Sequence, residues 1–327
     1  MDFLKKYRFE IGFFALITIL FFFSRLYKID TLPLFTDEAI YVRWSQIARY
    51  DANWRFISLT DGKQPSFVWL TMTMMRFFND PLLAGRLVSV FAGFATTIGL
   101  FFLGREIFKN RWIGLIASFL YVIFPMSLVY DRMALYDSLV GTFAVWGLFF
   151  AILLSRTLRL DVALVLSMVI GGGVLTKTSG FFNIYLLPFT LLLFNWTKKD
   201  KTLRLLRWVG LVIIVIFLAY AYYSLQRLSP FYHIIGEKNT VFIYPLHDWI
   251  THPFEFFYGN LQGVWDWFIT YVTWPGFLLM LCAFLVDRKN FWEKLLLVTW
   301  FILPFVALAL FARLLYPRFI FFMIFKF

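Results

Sequence analysis

FEIGFFALITILFFFSRLY, residues 9–27, is a predominantly apolar run whose only charged residues are Glu10 near one end and Arg25 near the other. A helix rises about 1.5 Å per residue and the bilayer's hydrocarbon core is roughly 30 Å thick, so about 20 such residues cross it. The run is too long for a signal-peptide core and lacks a small-residue cleavage site, so it reads as a permanent span. Similar runs recur near 83–103, 112–129, 138–154, 161–176, 180–195, 208–225, 264–286 and 295–312, and another begins at about 319. Composition agrees, with 61% of residues hydrophobic and 15% charged, against roughly 25% charged in soluble domains. The expected fold class is all-α and polytopic, a single membrane module over 1–327 with about ten spans. The chain stops at FMIFKF, a few residues into its last apolar run, which reads as a fragment or an unusually abrupt C-terminus.

The net charge of +12 would suit a nucleic-acid partner if it lay on one soluble face, but the basic residues are spread between the spans. Topology accounts for them. With the N-terminus in the cytoplasm, the inner segments carry Lys5, Lys6, Arg8, Arg105, Lys109, Arg111, Arg156, Arg159, Lys198, Lys199, Lys201, Arg204, Arg207, Arg288, Lys289 and Lys294. They hold only seven acidic residues: Asp2, Glu10, Glu106, Asp161, Asp200, Asp287 and Glu293. This follows the positive-inside rule and predicts a multi-pass protein of the plasma membrane, with membrane lipids and no nucleic acid among its partners. The single cysteine, Cys282, excludes a disulfide framework or a cysteine metal cluster.

Polar residues concentrate in two long outer loops, 28–82 and 226–263. In the first, DEAIYVRWSQIARY (37–50) reads as an interfacial amphipathic helix in which Ala39, Val42, Trp44 and Ile47 alternate with Arg43, Gln46 and Arg49. PSFVWLTMTMMRFF (65–78) reads as a second, too short to span. The adjacent acids Asp37 and Glu38 open the first helix. A carboxylate there can accept the proton of an attacking hydroxyl while its neighbour orients the acceptor. The structural alternative is that Thr36 or Asp37 caps the helix and both acids favour its positive end. Lys63, in DGKQPSFVWL, sits where a cation can hold a lipid-linked phosphate at headgroup depth, or can simply snorkel.

Between the third and fourth runs, VYDRMALYDSL places Asp131, Arg132 and Asp137 in a short outer loop. Arg132 suits bidentate phosphate or carboxylate binding and Asp137 a sugar hydroxyl, with helix capping and an interfacial arginine as the structural alternative. Lys177 follows a triple glycine, Gly171 to Gly173, at the outer junction of two runs, and Arg318 lies in YPRF just beyond the ninth. His247 and His252 lack the spacing of a helical metal pair, so no metal site is expected.

Taken together, FTDEAIY, KQPSFVWL, RMALYDS, LTKTSG and YPRF, in this order, resemble glycosyltransferase family 39, which includes the dolichyl-phosphate-mannose protein mannosyltransferases and the bacterial aminoarabinose transferases. The resemblance covers essentially the whole chain and implies the GT-C membrane fold. It implies transfer of a sugar from a polyprenyl-phosphate donor to a protein, lipid or glycan acceptor on the non-cytoplasmic face, with inversion. It further implies Asp37 as catalytic base, Glu38 as its acceptor-binding companion, Lys63, Arg132, Lys177 and Arg318 as donor-phosphate contacts, and Asp137 and Tyr41 as sugar or acceptor contacts. The pattern departs where the aminoarabinose enzymes place an arginine and this chain has Ile40, and where the mannosyltransferases place a histidine near Tyr41; sugar and acceptor stay open. The residues require no cofactor, and nothing in them supports a divalent metal. No nucleotide-binding glycine loop is present, as a lipid donor requires. A transporter or flippase is the alternative from another class, but such proteins carry ionisable residues near mid-membrane, whereas nearly all of these fall at run ends or in loops.

Overall fold

The computed structural model describes residues 7–286 and 289–324. Asp2, Lys5, Lys6, Asp287 and Arg288, expected on the inner face, lie outside the described residues, as does the terminal FKF. The described chain is helical: α1 (Arg8–Leu26), α2 (Thr36–Tyr50), α3 (Ser66–Met74), α4 (Pro81–Phe108), α5 (Arg111–Ile123), α6 (Pro125–Tyr130), α7 (Tyr136–Thr157) and α8 (Leu160–Val174). Then come α9 (Phe182–Tyr185), α10 (Lys201–Ser224), α11 (Ile234–Phe242), α12 (Leu246–Thr251), α13 (Phe257–Val286), α14 (Phe291–Phe311) and α15 (Phe321–Ile324). Local chemistry sets the ends. Asp80 accepts the Leu82 N–H at 2.8 Å ahead of Pro81 at the first position of α4, and Asn110 accepts the Trp112 N–H at 2.9 Å at the start of α5.

The protein is a multi-pass membrane protein, but the spans differ from the expected ten. Among the described residues, six helical segments are long and apolar enough to cross alone: Arg8–Thr31, Pro81–Phe108, Tyr136–Thr157, Lys201–Leu228, Phe257–Leu285 and Phe291–Phe311. Arg111–Ile123, Leu160–Val174 and Thr178–Leu193 are shorter. The run expected over 112–129 breaks at Phe124, held extended (φ −68°, ψ 126°) because the following Pro125 disfavours the helical conformation before it. The run over 180–195 is largely 3-10 turns. α13 is broken at Thr273 (φ 65°), two residues before Pro275. The core lies where α4, α7, α8, α10 and α14 meet, with Val145, Leu148, Ile152, Leu166, Ile170, Val215 and Trp300 fully buried.

In segment 28–82 two short helices, α2 and α3, pack on each other and on α4. Their details differ from the expected pattern. α2 buries Glu38, Tyr41, Ser45 and Ala48, a stripe at helical spacing, while Ala39 is exposed and Val42, Trp44 and Ile47 are half-buried. The helix is seated on the protein through a polar residue. Segment 226–263 carries α11 and α12, and it is fastened to the end of α14. The Tyr244 N–H donates to the Phe311 carbonyl at 2.7 Å and the Arg313 N–H to the Phe242 carbonyl at 2.9 Å, around an antiparallel bridge between Ile243 and Ala312. It is also pinned to the Lys63 turn. Lys238 Nζ lies 2.5 Å from Asp61 Oδ1, and Gly62, at φ 66°, passes so close that an added Cβ would fall 2.5 Å from Lys238 Cβ.

Candidate active site

The site is built around the first turn of α2. Phe35 occupies the N-cap without a side-chain bond, and Glu38 Oε2 reaches back to accept the Phe35 N–H at 3.1 Å. Neither Thr36 nor Asp37 caps the helix, so capping does not account for Asp37. Glu38, fully buried, also accepts from Arg86 Nε at 3.0 Å, Arg86 Nη2 at 3.1 Å and the Ala134 N–H at 2.7 Å. Arg86 completes the junction by donating to the carbonyls of Ile29, Leu32 and Pro33 at 2.6, 3.1 and 3.3 Å. One buried ion pair therefore ties together the end of α1, the start of α2, α4 and the segment ahead of α7. Removing a single partner from such a pair typically costs about 3–5 kcal/mol, whereas replacing both by apolar groups is often near neutral. Arg86→Leu is expected to lower the thermal midpoint in detergent sharply, and adding Glu38→Leu to recover most of the loss.

Consecutive helical residues are rotated by about 100°, so with Glu38 turned inward its neighbour faces elsewhere. Asp37 Oδ2 meets Arg318 Nη2 at 2.6 Å, with both side chains partly exposed. Arg318 is carried by the 3-10 turn Pro317–Ile320, which follows the α14 end clamped by segment 226–263. Beside this pair, Lys177 Nζ donates to Asp137 Oδ1 at 2.9 Å. Lys177 also lies 4.8 Å from the centre of the Tyr136 ring and 4.4 Å from that of Phe319. Lys63 Nζ stands 5.1 Å from the centre of the Tyr41 ring and 3.5 Å from Asp61 Oδ2, and the Tyr41 and Tyr136 rings are 5.1 Å apart.

Electrostatic coupling marks these groups as one cluster. Burial works against the charge on Arg318, but Asp137, Tyr136, Tyr41 and Asp37 outweigh it and hold the guanidinium above its usual range. Burial lowers Lys177 from the usual ammonium range, Asp137 opposes the shift, and Arg318 and Lys63 add to it. Burial, with Tyr136 and Asp37, pushes the Tyr41 phenol well up, so it stays a hydrogen-bond donor at neutral pH. Among the described residues, three buried polar atoms of the cluster have no hydrogen-bond partner: Tyr41 Oη, Asp137 Oδ2 and Arg318 Nη1. Buried polar groups are normally paired, so these mark capacity for a ligand.

Of the eight residues singled out from sequence, six come together: Asp37, Lys63, Asp137, Lys177, Arg318 and Tyr41. Glu38 sits behind them with its carboxylate engaged by protein groups. Arg132 lies apart, donating from Nη2 to the Tyr27 and Lys28 carbonyls at 2.7 and 3.2 Å. Sequence reasoning passed over Arg86, Tyr136 and the buried partnership of Arg25 with Asp131. Arg25 donates to Asp131 at 3.3 Å, with Tyr121 and Ser138 hydroxyls completing the carboxylate at 2.9 Å each, and Gly93 leaves the space it needs. The available signal was an arginine within an apolar run, which is costly unless paired. Among the described residues no three His, Cys, Asp or Glu side chains converge as a metal site would require, and the three histidines are exposed.

The class defined by this architecture is a polytopic membrane protein of the GT-C fold. Archaeal oligosaccharyltransferase AglB from Archaeoglobus fulgidus, solved with an inhibitory peptide and a dolichol-phosphate, shares it with a TM-score of 0.57 at 14% identity, over 98% of this chain and 49% of that one. The chain thus spans about half the length of that relative. A second oligosaccharyltransferase structure from the same organism, complexed with Zn and sulfate, aligns over 81% of this chain and 44% of that one at 14% identity and a TM-score of 0.35. No curated protein matches the chain in sequence. Residues 62–223 match the family described as dolichyl-phosphate-mannose-protein mannosyltransferase. The match covers just under half of the chain; the matched stretch holds Lys63, Asp137 and Lys177, while Asp37 and Arg318 lie on either side of it.

Proposed function

We propose that the protein transfers a sugar from a polyprenyl-phosphate donor to an acceptor hydroxyl on the non-cytoplasmic face of the plasma membrane, inverting the anomeric carbon. The observation that carries this reading is the placement of Asp37, free of capping duty, among three cations and a second carboxylate at the end of the bundle where both outer segments converge. In the reaction the acceptor oxygen attacks the anomeric carbon as its proton passes to Asp37. The bond from that carbon to the phosphate oxygen breaks, and its electron pair leaves on polyprenyl phosphate. Lys63, Lys177 and Arg318 stabilise the charge that develops there, an electrostatic role suited to a partly buried site. Arg318 pairs with Asp37, and an incoming phosphate competes for its guanidinium.

Asp137 and Tyr41 are assigned to sugar or acceptor hydroxyls, and Glu38 to holding the α2 turn that presents Asp37. Arg132 is left out, because both its contacts are backbone carbonyls. The acceptor is a protein, lipid or glycan hydroxyl. The test is to incubate membranes with radiolabelled polyprenyl-phosphate sugars. Covalent label on an acceptor, with release of polyprenyl phosphate, is the expected outcome; label that crosses the membrane still attached to its carrier would establish a flippase instead.

The site's face follows from the charge asymmetry. Cysteines introduced at Asp51 and Glu237 are expected to react with an impermeant thiol reagent in intact cells, and one at Lys199 to be protected. Labelling at Lys199 alone would invert the topology and place the cluster in the cytoplasm.

A further inference from the structure

At the end of the bundle away from Asp37, α10 begins just after a groove of about 520 Å³ that runs beside Leu191, Phe194, Asn195, Trp196 and Thr197 and is closed by Trp292 of α14. Trp196 and Trp292 are both largely exposed, 48% and 55%, as amphipathic rings at a membrane boundary are. Lys198, Lys199, Lys201, Arg204 and Arg207 follow within ten residues, with Asp200 the one acid among them. Neighbouring bases at this end are neutralised: Arg156 by Glu106 and Glu293 at 2.7 and 3.4 Å, Lys109 by Glu106 at 2.5 Å, and Arg159 by Asp161 at 2.5 Å. The five bases beside the groove form no ion pair with any described residue.

One of these cations already leans on the groove wall. The Arg204 guanidinium stands 5.6 Å from the centre of the Phe194 ring, and its Nε is buried without a hydrogen-bond partner. An apolar slot between spans, two boundary tryptophans, and an unneutralised cation cluster with an unused buried donor call for a ligand with an acyl chain and a phosphate. We infer that this groove is a binding site for one anionic diacyl phospholipid of the cytoplasmic leaflet, its chain lying along Leu191 and Phe194 and its phosphate taken by Arg204, Lys198 and Lys199. Basic pockets between membrane helices on that side hold such headgroups by the same chemistry. A zwitterionic lipid brings its own cation to the cluster, and an acidic peptide leaves the slot open to hydrocarbon.

The inference rests on the orientation of the chain and not on its catalytic activity. The purified full chain in detergent is titrated with dioleoyl phosphatidylglycerol or dioleoyl phosphatidylcholine, and bound lipid is counted by native mass spectrometry. One tightly retained phosphatidylglycerol is expected, preferred at least tenfold. Each Lys198→Gln or Lys199→Gln exchange, made on an exposed side chain, is expected to weaken it about fivefold, and the triple variant with Arg204→Gln about 100-fold. Thr197→Trp, which fills the slot, is expected to weaken it without changing charge, and millimolar glycerol phosphate to leave it bound. Equal retention of phosphatidylcholine, an unweakened triple variant, or displacement by glycerol phosphate or by polyglutamate would each overturn the site. Asp37→Asn is expected to bind the lipid as wild type does, so failure of the catalytic reading would leave this result standing.

Discussion

Asp37→Asn is expected to give a folded protein that binds donor normally and turns over on the order of 100-fold to 10,000-fold more slowly than wild type. Asparagine keeps an oxygen of the same reach but does not accept a proton at neutral pH. A capping role would predict almost no change, since asparagine caps as well as aspartate, and the structure already assigns the Phe35 N–H to Glu38. The exchange also neutralises the partner of Arg318 in a pair whose side chains are only 14% and 18% exposed, but the amide oxygen still accepts from the guanidinium, so the stability loss stays well below that of deleting the side chain. Stability and donor binding therefore separate from turnover. Glu38→Gln behaves differently: an amide cannot match a carboxylate against Arg86 in a fully buried junction, so its thermal midpoint falls and its turnover falls with it.

Lys177→Ala and Lys63→Ala are each expected to slow transfer by about 100-fold to 1,000-fold, the usual loss when one preorganised contact to developing charge is removed. The two should differ in stability. Lys177 is the hydrogen-bonded partner of Asp137, whose side chain is buried, so its removal leaves that carboxylate with only the more distant charge of Arg318 and a less stable protein. Lys63 pairs with the more exposed Asp61, which keeps Lys238, so its removal costs little. Arg132→Ala serves as the contrast. It loses two bonds to backbone carbonyls and is expected to retain turnover within a few fold of wild type; a loss as large as that of Lys63→Ala would return Arg132 to the donor site. Donor turnover measured on purified protein, with protein folding checked by thermal unfolding, decides each case.

The spans were legible because membrane thickness imposes a length on apolar runs, and nothing else in the chain competes with that signal. Their breaks were less so. Phe124 stops a helix because of Pro125, yet the apolar pattern runs on through both residues. Within the site, the residue types were legible and the partnerships were not. Asp37 and Arg318 lie almost a chain length apart, and they meet because the turn that carries Arg318 sits between the clamped end of α14 and α15, which packs on α7. Asp37 and Glu38 are equivalent as letters, and the rotation between neighbouring helical residues sends one to the cluster and the other to Arg86. Arg86 was the missed clue: an arginine inside an apolar run needs a buried acid, but the letters do not say which of Asp30, Asp37, Glu38, Asp51, Asp61 and Asp80 supplies it.

The central claim is a direct displacement at the anomeric carbon with Asp37 as base, and the most direct measurement is the configuration of the product. Purified protein supplied with a polyprenyl-phosphate sugar of defined anomer and an acceptor alcohol is followed by proton NMR of the anomeric signal. The first product formed is predicted to be the inverted anomer alone, appearing together with free polyprenyl phosphate. A retained anomer would require a covalent intermediate or a different attacking group, and would contradict the account.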